Sequence, residues 1–543
     1  MHRTNALPVL LIVILAAACA TTSESRTTSG PSVTVAATPS GDPRVGLDPG
    51  YMDAAAAVWN MRLVSNTPPP EGYYDEEGAP YSNSDLAFKG NYVIQGNYHG
   101  PLIWDISDPS DPSLVVGIEC PASQNDVSVY GDLLFVSVEA PGGRIDCGGQ
   151  GVEDSVSTER MRGVRIYDIA DIAHPRLVTN VQTCRGSHTH TVVPDPDDSS
   201  QVYIYVSGRA PVRSSSELPG CSELQPSEDP NSVLFNIEII DVPLDAPQDA
   251  KVIGRAPILS GLAPAERHPE VPADSIAAEE RRRANAAERA AAGQPSPPPT
   301  PTPGPPTGPV QCHDITVYPA IGRAGGACGG YGLLLDITDP AHPKRIAEVA
   351  DPNFAFWHSA TFNNDGTKIL FADEWGGGSQ PRCRATDKPE WGANAIYTIA
   401  GDQMTYESYY KLPAPQTSVE NCVAHNGSLI PVPGRDIMVQ GWYQGGISVF
   451  DWTDPENPKE IAFFDRGPRD PDEVRSAGSW SAYWYNGYIV SSEIARGLDI
   501  LELTPSEHLS QEEINAAKQV RFEELNVQTQ PKLEWPASPA IGN

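Results

Sequence analysis

Positive charge is what this chain most lacks. Lys and Arg number 37 against 70 Asp and Glu, leaving a formal net charge of −33. A nucleic-acid partner needs a basic face for its phosphates, so none is expected. The acidic surplus reads as a well-solvated surface. Long apolar runs are scarce too: residues 10–18 are hydrophobic but too few to span a bilayer as a stable helix. The absence of any CxxC pair removes zinc ribbons and thioredoxin-like redox motifs. Without a GxSxG elbow, a P-loop or a GxGxxG opening a helix, serine-hydrolase and phosphate-loop chemistry have no candidate residues.

What stands at the N-terminus is an export signal. Arg3 gives a positive start, residues 10–18 the apolar core, and Ala16, Ala17 and Ala18 precede Cys19. Small residues before a single Cys resemble the lipobox of bacterial lipoproteins. That implies a signal peptide over 1–19, a lipid on Cys19 and a membrane anchor facing the periplasm or exterior; a plain secretory signal is the alternative. Residues 20–50, rich in Thr, Ser, Gly and Pro, read as a flexible tether.

Glycine (47) and proline (54) are plentiful, as many short strands joined by turns require. One phrase recurs. It appears as PLIWDISDPSDPSLVVG (101–117), VRIYDIADIAHPRLVTN (164–180), IEIIDVPLDAPQDAKVIG (237–254), GLLLDITDPAHPKRIAEV (332–349) and ISVFDWTDPENPKEIAFF (447–464). Weaker copies begin at Ala395 and Leu498. Each phrase alternates large apolar and small residues with the two-residue period of a strand, turns at Asp and Pro, and returns as a second strand. Two further strands precede each phrase, such as LLFVSV over 133–138. Four antiparallel strands repeated seven times predict a seven-bladed β-propeller over 51–505, because one blade cannot bury both of its faces. The last copy lacks an outer strand, and residues 61–68 (MRLVSNTP) resemble one without inner partners. They are expected to complete the last blade and remove an open sheet edge.

These strings resemble LVIVD repeats, found in exported or surface proteins of bacteria and archaea and taken to form propellers. The resemblance covers roughly residues 85–503 and implies the fold, with no activity common to the family. Two pieces fall outside it. Residues 260–311 form an insertion, helix-prone at first and then Pro-rich. Residues 506–543 read as a helix, begun by a capping box at Ser510 and Glu513 and running to about Leu525, followed by a loose tail.

Chemistry is expected where the innermost strands begin, around the central channel. Aligned on strand pattern, the seven heads are Asp85, Asp126, His190, Asp314, His358, His425 and Trp480, with His188 and His313 close by. Neutral imidazoles and carboxylates converging on one channel are ligands for copper or zinc. The expected metal set is His190, His358, His425, Asp85, Asp126 and Asp314; the alternative is that these groups satisfy backbone amides and water. A possible pocket adds His188, His313, Glu139, Arg209, Glu374, Glu493 and Trp480. The eight cysteines other than Cys19 lie before an inner strand or in the loop after a second strand, two loop types on one face of a propeller. Sequential pairing is expected: Cys120–Cys147, Cys184–Cys221, Cys312–Cys328 and Cys383–Cys422. Functionally, the sequence is compatible with an extracytoplasmic binding or scaffold protein with an unknown protein or small-molecule partner. The alternative is a metal-dependent enzyme of the oxidoreductase kind. No residue can be named as catalytic.

Overall fold

The computed structural model describes residues 41–74, 82–266 and 308–536, together with 33–35, 283 and 286. The signal peptide with Cys19, most of the tether and most of the 260–311 insertion lie outside the described residues.

The chain is all-β and propeller-like, built from four-stranded antiparallel runs. Run 1 comprises Asn83–Lys89, Tyr92–Asn97, Leu102–Asp105 and Ser113–Gly117. Runs 2 to 7 start with Val127–Tyr130, Thr189–Pro194, Ile315–Tyr318, Trp357–Phe362, Asn426–Ile430 and Ser479–Tyr485. Runs 6 and 7 share one ten-stranded sheet, joined by the parallel pairs Asn426↔Ser481 and Gly427↔Ala482. As the sequence suggests, Met61–Thr67 is the fourth strand of run 7, antiparallel to Gly497–Leu503. Ala56–Trp59 adds a further strand beyond the outer edge of run 6, at Lys459–Arg466, which the sequence did not suggest.

The recurring phrase has one local structure throughout. Its two strands slip by a residue at one place in each run, for example at Ile103/Trp104, Ile166/Tyr167 and Leu334/Leu335. A bulge there increases twist. The Asp that ends the third strand turns the chain by accepting from the amide two residues on: Ser107 for Asp105, Ala170 for Asp168, Thr338 for Asp336 and Thr453 for Asp451. These aspartates are turn caps, as expected.

The runs bury each other. Ala87, Ile94 and Ile103 of run 1 pack with Val127, Leu134 and Val136 of run 2. Equivalent clusters join each successive pair, and Phe88 and Trp104 of run 1 pack with Tyr483 and Val490 of run 7. A buried ion pair reinforces the seam between runs 6 and 7. Asp499 accepts from both terminal nitrogens of Arg466, at 2.5 and 2.8 Å, and from the Asn66 amide at 2.8 Å. Asp499→Asn would leave the Arg466 guanidinium buried beside a neutral partner, at a cost of about 3–5 kcal/mol. Chemical denaturation should show that loss; an unchanged midpoint would mean the seam holds without the pair.

The C-terminal segment departs from expectation. The capping box is present, but the helix covers only Gln511–Ala517, and Glu524–Asn526 is a strand paired with Asn83–Lys89. Residues 527–536 beyond this strand are not loose: they cross from one inner strand to the next. Asn526 exchanges hydrogen bonds with both the amide and the carbonyl of Val129, each at 2.7 Å, and Gln530 does the same to Phe362 at 2.9 Å. Between them Thr529 donates to the Val192 carbonyl, while Gln528 and Gln530 bond the Val317 backbone. Leu533 and Trp535 continue to Asn364 and Pro431. The carboxamides substitute for a neighbouring strand on edges that would otherwise be unpaired.

Candidate metal centre at the strand heads

Each inner strand ends its approach to the hub with a polar residue, and five runs contribute to a continuous row of rings. The His188 and His313 rings are 4.6 Å apart, His313 and His358 4.0 Å, His358 and His425 4.0 Å, and His425 and Trp480 5.1 Å. Glu374, just past the second strand of run 5, sits between two of them. Its oxygens lie 3.7 Å from His358 Nε2 and 3.7 Å from His425 Nε2.

Two donor groups emerge. Ligand atoms of His358, Glu374 and His425 all lie within 4.8 Å of one another, as do those of His313, Asp314 and His358. All five residues are buried. His425 donates from Nδ1 to the Trp480 carbonyl, which leaves the Nε2 lone pair free. That nitrogen has no hydrogen-bond partner, and neither does Nδ1 of His358. His313 donates from Nδ1 to Asp314 Oδ1 at 2.9 Å. A carbonyl or carboxylate behind an imidazole is the support that metal-ligating histidines commonly have.

Burial sets the charges. It holds His425 down at about 4 and, with neighbouring positive groups, keeps His313 and His358 well below the usual imidazole range. These rings are therefore neutral at pH 7, the form that binds metal. Burial raises Glu374 to about 7 and Asp314 to about 6. Tyr443 donates to Glu374 at 2.5 Å and fixes its orientation. Tyr443 was not foreseen in the sequence. It adopts φ 53° and is seated by two glycines: a Cβ at Gly478 would fall 2.0 Å from the Tyr443 backbone, and one at Gly378 2.3 Å from its ring. Gly378 belongs to the Gly-rich loop after Glu374, the one legible hint.

The six-residue set expected from the sequence is not a single constellation. His358, His425 and Asp314 are in the two groups; His190, Asp85 and Asp126 are not. The groups also take in His313 and Glu374, expected only as pocket residues. The contacts of His190, Asp85 and Asp126 lie elsewhere, although His190 Nε2 and Asp126 Oδ1 are themselves buried without a hydrogen-bond partner. His190 bonds Ser137 Oγ through Nδ1 at 2.8 Å, and burial lowers it to about 3. Asp85 accepts from Tyr483, Asn426 and the Leu86 amide. Asp126 accepts from the His190 amide at 3.3 Å.

Of the remaining pocket residues, Glu139 and Arg209 flank His188, at 2.6 Å from Nδ1 and 3.2 Å from Nε2. Trp480 ends the row of rings. Glu493 is occupied elsewhere, accepting from the Gly478 and Ala495 amides and pairing with Arg496. A cavity of about 700 Å³ lies away from the hub, around Gln182, Phe235 and Arg255. Chemistry rather than volume singles out the hub, where orphaned imidazole nitrogens and carboxylates converge.

All four disulfides pair as expected, Cys120–Cys147, Cys184–Cys221, Cys312–Cys328 and Cys383–Cys422. They fit an oxidising, extracytoplasmic environment. Residues 82–118 match the LVIVD repeat family. The chain carries an LVIVD repeat. That LVIVD repeat coincides with run 1, from Asn83 to Gly117, and so includes the hub residue Asp85. No curated protein matches the chain. Among solved structures it is similar to the periplasmic gluconolactonase PpgL of Pseudomonas aeruginosa. The identity is 11%, covering 84% of this chain and 100% of that one, with a TM-score of 0.44. It is also similar to a putative 6-phosphogluconolactonase of Bacteroides fragilis, at 9% identity over 76% and 87% of the two chains, with a TM-score of 0.39.

Proposed function

We propose that this protein is an exported seven-bladed propeller that binds a transition metal, copper or zinc, at its hub. His358, Glu374 and His425 are the principal ligands, and His313 with Asp314 stand beside them. The observation that carries this reading is the buried, unpartnered His425 Nε2, which lies 3.7 Å from Glu374 with His358 Nε2 at the same distance from that carboxylate. Orphaned buried polar atoms cost about 1–3 kcal/mol each, a penalty that a bound cation would relieve. Closure into seven blades is supported by the core shared between runs 7 and 1. Mixed imidazole and carboxylate donors suit zinc and copper. Such an ion would supply Lewis-acid or redox chemistry. Around it, Tyr443 would hold the Glu374 carboxylate in place, and the Trp480 carbonyl would hold the His425 tautomer. The protein would then be a metal-dependent enzyme of the envelope, anchored through Cys19.

The test is elemental analysis of protein purified without chelator and again after reconstitution with copper, zinc or iron. One tightly held ion per chain is expected. Failure to retain any of the three would defeat the metal reading. A second reading, a binding or scaffold protein, is favoured by the disulfides, which staple loops at the head side of the inner strands. Its partner would dock on that stapled face.

A further inference from the structure

We propose that Arg209 anchors a carboxylate of the small organic acid that this hub takes as its ligand. The ligand class rests on the hub reading above, but the anion site itself does not require the metal.

Arg209 lies two residues past the second strand of run 3, while Glu374 and Glu139 directly follow the second strands of runs 5 and 2. The same loops thus bring a cation and two carboxylates to the head side of the inner strands. The carboxylates are already committed. Glu139 accepts from His188 Nδ1 at 2.6 Å, and Glu374 accepts from Tyr443. Because Nδ1 of His188 is the donor, its Nε2 accepts from Arg209 Nη1 at 3.2 Å. The guanidinium lies over the Phe356 ring, 4.7 Å from its centroid. Among the described residues, no carboxylate forms an ion pair with it. Other inward arginines are satisfied by carboxylates, as Arg466 is by Asp499, Arg496 by Glu493 and Arg213 by Glu217, or by backbone carbonyls, as Arg162, Arg165 and Arg185 are. Among the described residues the Arg209 side chain hydrogen-bonds only to the His188 nitrogen, and Glu139 and Glu374 feel its charge from beyond ion-pair distance.

Position links it to the row of imidazoles. The Phe356 ring under Arg209 is 5.5 Å from the His313 ring, and His188 is 4.6 Å from it. A guanidinium presents a planar fork of donors that matches a carboxylate in two bonds. Arg209 spends one N–H on His188 and keeps the others. A carboxylate held there would present the rest of a small molecule to His313 and His358. The acidic surface restricts this to a small ligand, since a polyanion would be repelled.

Thermal unfolding of the full chain, metal-free and metal-loaded, with sodium acetate against sodium chloride at equal ionic strength, tests the site. Acetate should raise the wild-type midpoint in both forms, with Arg209→Gln needing about tenfold more acetate and Arg209→Lys falling between. Equal responses of wild type and Arg209→Gln, or an equal effect of chloride, would overturn it. Tighter binding of inorganic phosphate than of acetate would overturn the carboxylate assignment. The metal content of the same samples separates the two readings. An Arg209-dependent acetate effect without retained metal defeats the metal site alone, and retained metal without that effect defeats the anion site alone.

Discussion

Replacing His358 and His425 together with alanine should lower the affinity for the bound metal at least about a hundredfold. It should also abolish the rise in unfolding temperature that metal gives the wild type. The magnitude is a lower bound, since losing merely a supporting partner behind a ligand costs 10–100-fold. The comparison with and without metal separates this from a packing effect. A ligand that binds only the folded state stabilises in proportion to the logarithm of its concentration over Kd, so the metal-dependent increment reports the site itself. Removing two rings from the stack also leaves a cavity, which destabilises the metal-free and metal-loaded proteins equally. Part of that loss is offset, because the mutations also delete the two buried nitrogens that have no partner. If the imidazoles serve only to pack and to satisfy their neighbours, wild type and variant will unfold with no metal-dependent difference between them. Glu374→Gln is the milder companion: it keeps the volume and the Tyr443 contact but removes the anionic donor, and should weaken metal binding without altering the metal-free protein.

Much of this architecture was legible because the repeat writes the same local physics each time. An apolar strand and a bulge recur in every run, an aspartate caps the turn in runs 1, 2, 4 and 6, and each phrase marks the outer half of a run whose inner strand must precede it. The cysteine pairs obey the same register, since they join loops whose positions it sets. Which heads meet was less legible. Adjacent residues of a strand face opposite ways, so a one-residue difference decides whether a side chain enters the hub. In run 4 the imidazole in the row is His313 rather than a residue at the aligned head, Asp314, which instead receives its Nδ1–H. In run 3, His188 joins the row while His190, two residues on, is held by Ser137. Tyr443 depends on a left-handed backbone conformation and on space left by Gly378 and Gly478, a dependence spread over about a hundred residues of sequence. The C-terminal segment was missed for a different reason. It carries few apolar residues, and composition reads such a stretch as loose. Its order comes from the Asn526 and Gln530 carboxamides and from backbone bonds of Gln528 and Gln530 to Val317.

That segment carries the second large effect. Asn526→Ala with Gln530→Ala should destabilise the protein by at least about 3 kcal/mol, measured by chemical denaturation. Each carboxamide serves one backbone amide and one carbonyl, on Val129 and on Phe362. Truncation to alanine deletes four hydrogen bonds at a stroke. A typical bond contributes about 0.5–1.5 kcal/mol net, and a buried group left without a partner costs about 1–3 kcal/mol, so the expected loss stands near the low end of the total. Water entering the channel can rescue some of these groups, which is why the estimate is not higher. The two sites are far enough apart along the tail to be additive if each clamps its own strand independently. Singles that each cost nearly as much as the double variant would mean instead that the segment binds as one unit, each clamp holding the other in place. Removing residues 527–543 should then do at least as much damage as the double substitution. A peptide spanning 522–536, added to the truncated chain, should restore the lost stability in proportion to its concentration. A midpoint indifferent to both substitutions and to the deletion would mean that the inner edges are satisfied without the tail.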